Sequence, residues 1–467
     1  MFLSRGRVIN QNRGGKSKYT INMCSGRILP KMLLFAIPLM FTSILQLLFN
    51  TADIIVVGRY AGDNSLAAVG SNSALISLMT NLFIGISIGT NVLVSRYYGS
   101  KDEAGISRTV STSIVVALLS GVLLTVLGIV FARKVLVMMQ TPPEVLGLAT
   151  LYLVIYFFGM TPMMIYNFGS AILRAVGDTR RPLLYLSFAG VVNVVLNLFF
   201  VIYLRLGVAG VAIATVIAQC ISAALVLRCL FHESGALRFT PHTARIDIGN
   251  LLKMLRIGVP AGLQGVLFSI SNVVIQSYIN SFGAVVMAGS CASDSIEMFV
   301  YFSTEAFYQA IISFTGQNMG AGKFDRVNKV LKTGLICSAL TGGVLGVAAT
   351  IFGHTLLGIY SSSEAVIAAG MERMKLIASM YAICGLMEGM GGVMRGMGYS
   401  VLPTVVTLLG VCVLRLAWIS ALLHIPALYS VATVYVSYPV SWAVTFAAHV
   451  ACFLWVRKRA FGGLSTK

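Results

Sequence analysis

The feature that most limits how this chain folds is its succession of apolar runs, each long enough to cross a bilayer. A spanning helix needs about 20 consecutive, mostly apolar residues, and residues 32–58, 107–131, 183–203 and 401–423 each supply such a run. In hydrocarbon every backbone amide and carbonyl must be paired within the protein, so segments of this kind are helical. Of the whole chain 57% is hydrophobic and 10% charged, against about 25% charged in soluble domains. A soluble fold is excluded, and the fold class is an all-α polytopic membrane protein in contact with the lipid bilayer.

Length and loop punctuation divide the chain into about twelve spans. Their cores lie near residues 32–58, 66–94, 107–131, 146–173, 183–203, 207–230, 254–281, 284–316, 329–359, 365–394, 401–423 and 427–455. The net charge of +19 comes from basic residues in connecting loops and at both ends. That distribution argues against a nucleic-acid partner and fits the excess of Lys and Arg on the cytoplasmic side of membrane proteins. With the N-terminus inside, the external basic residues are Arg59, Arg133, Lys134, Arg205, Arg373 and Lys375, while Arg415 falls within a span. Both termini are therefore expected in the cytoplasm and the chain in the plasma or inner membrane. Residues 1–31 are basic and carry no apolar core of a signal peptide. The expected division is a cytoplasmic tail (1–31), a first bundle (32–230), a cytoplasmic linker (231–253), a second bundle (254–456) and a tail (457–467).

The halves repeat. Pro38 finds Pro260 (260 − 38 = 222), Gly99 finds Gly320 (320 − 99 = 221), Arg174 finds Arg395 (395 − 174 = 221) and Pro182 finds Pro403 (403 − 182 = 221). An even number of spans in each half gives both the same orientation, related by an axis along the membrane normal. Two homologous six-helix bundles with a cavity between them follow, and the cavity is the expected place for a small-molecule substrate. The 8 cysteines form no CxxC pair and the 5 histidines are dispersed, so no disulfide framework, metal site or cofactor is expected. No HExxH, GxSxG or aspartyl dyad points to an enzyme.

Over residues 30–455 the motifs resemble those of the MATE (multidrug and toxic compound extrusion) family. Asp53-Ile-Ile-Val-Val-Gly58-Arg59 followed by Leu66-Ala-Ala-Val-Gly70 is similar to the family's opening signature. Gly316-Gln317-Asn318-Met319-Gly320-Ala321-Gly322-Lys323 resembles its turn after the eighth helix, and Leu173–Arg180 and Met394–Gly398 its paired turns after helices four and ten. The resemblance implies a V-shaped pair of six-helix bundles and cation-coupled efflux of hydrophobic, cationic compounds, by a monomer that rocks between outward and inward states. H+ and Na+ both stand as coupling ions. A lipid-linked or polysaccharide flippase of the same superfamily is the alternative.

Each ionisable side chain inside the bilayer costs roughly 2.5–3.5 kcal/mol even on the gentlest scales, and so needs a partner or a purpose. Gln46, Asn50 and Asp53 are spaced i, i+4, i+7 on one face of the first helix. Asp53 is either the coupling carboxylate or an acid tying that helix to its neighbours. The resemblance places an N-terminal cation site on Asp53, Asn193, Asn197 and Thr215, with Asn197 standing where members of archaeal type carry a second acid. The C-terminal half lacks the helix-seven acid of sodium-coupled members, reading Leu267-Phe268-Ser269 there. It carries instead Glu297 and Glu305, which share a face, and Glu388 and Arg415. The last two form either a structural ion pair or, with Gln46, Asn50, Asn272, Glu297 and Glu305, a substrate cavity or second cation site.

Overall fold

The computed structural model describes residues 19–462, and among these no strand occurs. The first half contains α1 (Ile28–Tyr60), α2 (Asp63–Ser100), α3 (Glu103–Met138), α4 (Pro143–Phe158), α5 (Met160–Ala175), α6 (Arg180–Leu198) and α7 (Gly207–His232). The second contains α8 (Ile248–Asn280), α9 (Ala284–Gly320), α10 (Phe324–Ile351), the short α11 (Gly353–Gly358), α12 (Glu364–Leu376) and α13 (Tyr381–Gly396). It closes with α14 (Val401–Thr407), α15 (Leu414–Leu422) and α16 (Val431–Gly462). Wider π turns occupy Phe199–Tyr203 and Leu408–Val413.

Among the described residues ten helices are long and apolar enough to span, or eleven when α4 and α5, bent by 46°, count as one. Gly159 sits at that bend. α9 falls outside this set because Asp294, Glu297, Glu305 and its serines, threonines and amides dilute its apolar residues. It occupies the same place in the second half as α2 in the first, so the fold matches the expected plan of about twelve spans in two bundles.

The repeat governs the backbone as well as the residues. The starts of α2 and α9 (284 − 63), α3 and α10 (324 − 103), α4 and α12 (364 − 143), α5 and α13 (381 − 160), and α6 and α14 (401 − 180) are all 221 apart. Left-handed residues recur at the same offset: Gly62 with Gly283, Lys101 with Gly322, and Gly177 with Gly398. Lys101 holds a conformation that favours glycine, so the turn is kept where the residue is not.

The two halves meet chiefly through α2 on α8 and α2 on α9. A β-carbon on Gly85 would lie 2.2 Å from the Gly262 nitrogen, one on Gly99 2.0 Å from the Gln317 carbonyl oxygen, and one on Gly320 1.9 Å from that of Arg96. The seam is therefore backbone against backbone, at a separation only glycine permits. It ends near the Asn81 Nδ2–Ser269 Oγ bond of 3.3 Å. Beyond it the continuing stripe is open, with Leu78, Asn272 and Val273 exposed. The lobes are thus closed at the end bearing the linker and part toward the opposite end.

A strap, residues 19–27, crosses the closed end. Four successive carbonyls of Asn22, Met23, Cys24 and Ser25 accept from Lys31, Arg326 and Lys323. Ile21 lies against Gly177 of the first half, and the Tyr19 ring faces Arg181 at 5.5 Å. Residues 1–18 and 463–467 of the expected tails lie outside the described residues.

Candidate functional site

Asp53 is buried within the first half, where α1, α6 and α7 converge. Asn197 donates through Nδ2 to one carboxylate oxygen, and the Thr215 hydroxyl lies 3.3 Å from the other. Asn193 links the remaining two, its Nδ2 being 3.3 Å from Thr215 Oγ1 and its Oδ1 3.3 Å from Asn197 Nδ2. The four residues of the expected N-terminal site are thus brought together. No Lys, Arg or His forms a salt bridge with Asp53 among the described residues.

The hydrogen count of this cluster decides what it does. Thr215 has one hydroxyl proton and two acceptors in reach, the Val211 carbonyl at 2.9 Å and Asp53 at 3.3 Å. With Asp53 ionised, the proton turns to the carboxylate. With Asp53 protonated, the acid donates to Thr215 Oγ1 and the threonine turns to Val211. Asn197 Oδ1 is buried without a partner. The site accommodates both charge states by rotating one hydroxyl.

Gln46 and Asn50 share the helical face of Asp53 but are exposed and bond to nothing in this cluster. Asn272 is likewise exposed, on the open stripe of α8.

The second half corrects several expectations. Glu388 and Arg415 do not pair. Arg415 lies 3.8 Å from the centre of the Tyr438 ring and donates to Ser441 Oγ at 2.9 Å, and no salt bridge joins it to Glu388 among the described residues. Glu297 and Glu305 do not share an environment. Glu297 is 2% exposed and takes a two-point contact at 3.0 Å from Arg373 Nε and Nη2. Glu305 is half-buried and forms no salt bridge among the described residues.

Arg373, expected among the external basic residues, is buried in the last turn of α12. It reaches Asp294 at 2.7 Å and Ser290 at 2.9 Å besides Glu297, with the Tyr435 and Tyr438 rings at 5.9 and 5.7 Å. Its register gave the signal: Ile367, Gly370, Met374 and Ile377 form the buried face of that stretch, and Arg373 falls on it. Arg395 is also buried, donating to Tyr308, Gln264 and Thr404. Its repeat partner Arg174 stands in the last turn of α5.

A two-lobed bundle repeated at 221 residues, with polar clusters inside each lobe and a cleft open at one end, defines a polytopic membrane transporter. The chain belongs to the MatE family, whose profile matches residues 38–199 and 260–419, one stretch in each half. A probable multidrug resistance protein of Bacillus subtilis is 28% identical over 437 residues, covering 92% of this chain and 94% of that one. A probable multidrug resistance protein of Thermotoga maritima is 24% identical, covering 83% and 84%. Among solved structures, an outward-facing multidrug resistance transporter of this family superposes with a TM-score of 0.88 at 21% identity, over 97% of this chain and 100% of that one. That likeness concerns the fold. The family's members are transporters and not enzymes.

Proposed function

We propose that this chain is a multidrug efflux antiporter in which Asp53 carries the coupling ion, a proton. The observation that carries the reading is the buried carboxylate itself, held by the Asn197 amide and the Thr215 hydroxyl, with Asn193 linking those two. The names of the relatives support the substrate class. The bundles of residues 32–230 and 254–456 move as units about the linker 231–253, and the basic end faces the cytoplasm. A proton entering from the open end neutralises Asp53, Thr215 turns to Val211, and the outward state releases its substrate. Closure of that end exposes Asp53 to the cytoplasm, where proton loss resets the site. A group that titrates between the two states supplies the energy difference the cycle requires.

Asp53→Asn mimics the neutral form at nearly constant volume. The variant is expected to reach the membrane at wild-type level and to lose dye efflux driven by a pH gradient in proteoliposomes. Gradient-dependent efflux at the wild-type rate rejects Asp53 as the coupling group. Efflux that follows an imposed sodium gradient and ignores a pH gradient assigns the site to Na+.

A further inference from the structure

At the closed end a cavity of about 770 Å³ lies between the strap and the start of α10, lined by Arg27, Arg326, Lys329, Lys332, Thr333 and Pro30 among others. We propose that it binds the phosphate-bearing head group of an anionic phospholipid, with the acyl chains lying along α10 and α1.

Its charge is the first argument. Four cationic side chains line the cavity and no acid does. None of the four takes part in a salt bridge among the described residues. Arg326 gives Nε and Nη2 to the Met23 and Ser25 carbonyls, which leaves Nη1 for a ligand. The amino ends of α1 and α10 both open here, and the Arg27 side chain does not cap α1, so helix dipoles add to the positive field.

The repeat supplies the second argument. Arg108, Ser111 and Thr112 of α3 correspond to Lys329, Lys332 and Thr333 (329 − 108 = 332 − 111 = 333 − 112 = 221). In the first half the chain's own linker covers this junction and leaves a smaller cavity of about 550 Å³, whose lining includes the acid Asp247. The Arg245 amide donates to Ser111 Oγ at 2.9 Å and the Asp247 amide to Thr112 Oγ1 at 2.9 Å. Among the described residues the strap at the second half makes no such bond to Lys332 or Thr333, and the cavity there is larger, about 770 Å³, with no acid in its lining. Lysine stands where the linker's hydroxyl acceptor would be, so the junction takes an anion instead of a main-chain amide.

What lies below the cavity selects a lipid over a soluble anion. The outward stripe of α10 passes from Lys329 and Lys332 directly to Ile336, Leu340, Val344 and Val347, all exposed. On α1 Leu29, Leu34, Ile37 and Phe41 are exposed as well. Cations at one end of an apolar, bilayer-facing track match an amphiphile with phosphate at one end and hydrocarbon at the other. Basic pockets between spanning helices are known to hold such head groups.

The test uses the full-length, delipidated protein in detergent, with phosphatidylglycerol, phosphatidylcholine and glycerol 1-phosphate as probes and native mass spectrometry as the readout. Wild type should retain phosphatidylglycerol over phosphatidylcholine. Each charge removed near an anionic head group weakens binding about fivefold, so Arg27→Gln/Lys329→Gln/Lys332→Gln should weaken it on the order of 100-fold. Lys332→Glu alone should act in the same direction. The matched control Arg108→Gln/Arg238→Gln/Arg245→Gln removes as much charge from the smaller first-half cavity, where Asp247 opposes an anion, and should retain wild-type affinity. An equal loss in that control makes the effect generic charge and overturns the site, as does unchanged affinity in the cavity variants. Displacement of phosphatidylglycerol by equimolar glycerol 1-phosphate overturns the lipid assignment in favour of a soluble phosphate.

Discussion

Arg373 gives its guanidinium to Glu297, Asp294 and Ser290, so removing it strands Glu297 where no water reaches. Breaking one side of a buried pair costs about 3–5 kcal/mol, and Arg373→Met is expected to lower the thermal midpoint in detergent accordingly. Adding Glu297→Gln should recover most of the loss, because no net charge then remains buried with that partner. Arg415→Met should be the milder single change, since Arg415 rests on Tyr438 and Ser441 and leaves no acid behind. An Arg415→Met midpoint as low as that of Arg373→Met would contradict this account. The contrast also marks what the sequence reveals at this scale. Asp53, Asn193, Asn197 and Thr215 were legible as a set through their family resemblance. Spacing alone grouped Gln46 and Asn50 with Asp53, because a helical face gives a direction and not the distance to the neighbouring helix. Pairing Glu388 with Arg415 failed for a similar reason: a tyrosine ring and a serine hydroxyl satisfy the guanidinium, and neither announces itself as a counter-charge.

The strap is an element that charge and hydropathy could not reveal. Residues 1–31 read as a basic tail, yet 19–27 docks through its backbone carbonyls, groups that every sequence possesses. The helices were legible because spanning demands long apolar runs, and their bounds fell near the expected cores. The bend between α4 and α5 has a sequence signal in Pro162, in the first turn of α5, whose missing amide and fixed φ favour such a break. Docking of the strap rests on Gly177, whose φ of +92° and close approach to Ile21 leave no room for a side chain: a β-carbon there would lie 2.7 Å from the Ile21 nitrogen and oxygen. Gly177→Val should therefore lift the strap. Cys24 reports on this. Its thiol packs on Gln317, and burial pushes its pKa up despite nearby Lys323, Arg326 and Lys31. Lifting the strap restores both access and thiolate, so maleimide labelling of the Cys24 peptide, followed by mass spectrometry, should quicken in Gly177→Val. Unchanged labelling would mean that the strap is held from the second half alone.

For the whole molecule the 221-residue repeat was readable from a handful of prolines, glycines and arginines, and it prescribed two like-oriented lobes. The state of the cleft was not readable, because it depends on which glycines of one lobe meet backbone of the other. At the closed end Gly99 and Gly320 bring α2 and α9 into main-chain contact, and Gln317 Nε2 donates to the Ala175 carbonyl at 2.8 Å. In the proposed cycle rocking breaks this seam, so its tightness sets how strongly the open-ended state is favoured. A side chain at Gly99 meets the Gln317 carbonyl at 2.0 Å, a backbone atom that cannot rotate aside. Gly99→Val therefore penalises the state seen here and leaves the alternative state, with the seam parted, unpenalised. Moving such an equilibrium from 99:1 to 1:99 takes about 5.5 kcal/mol, and overpacking of this kind supplies typically 1–3 kcal/mol or more. A partial shift is the expected outcome. Spin labels at Leu78→Cys and Val273→Cys, on the two lobes of the open end, would report it by pulsed EPR. Gly99→Val should add a shorter-distance population as that end closes. Gly147→Val, where no atom lies within 4 Å of the added β-carbon, should leave the distances at their wild-type values. A folded Gly99→Val protein with the wild-type distribution would show that the glycine seam does not hold the lobes in this state.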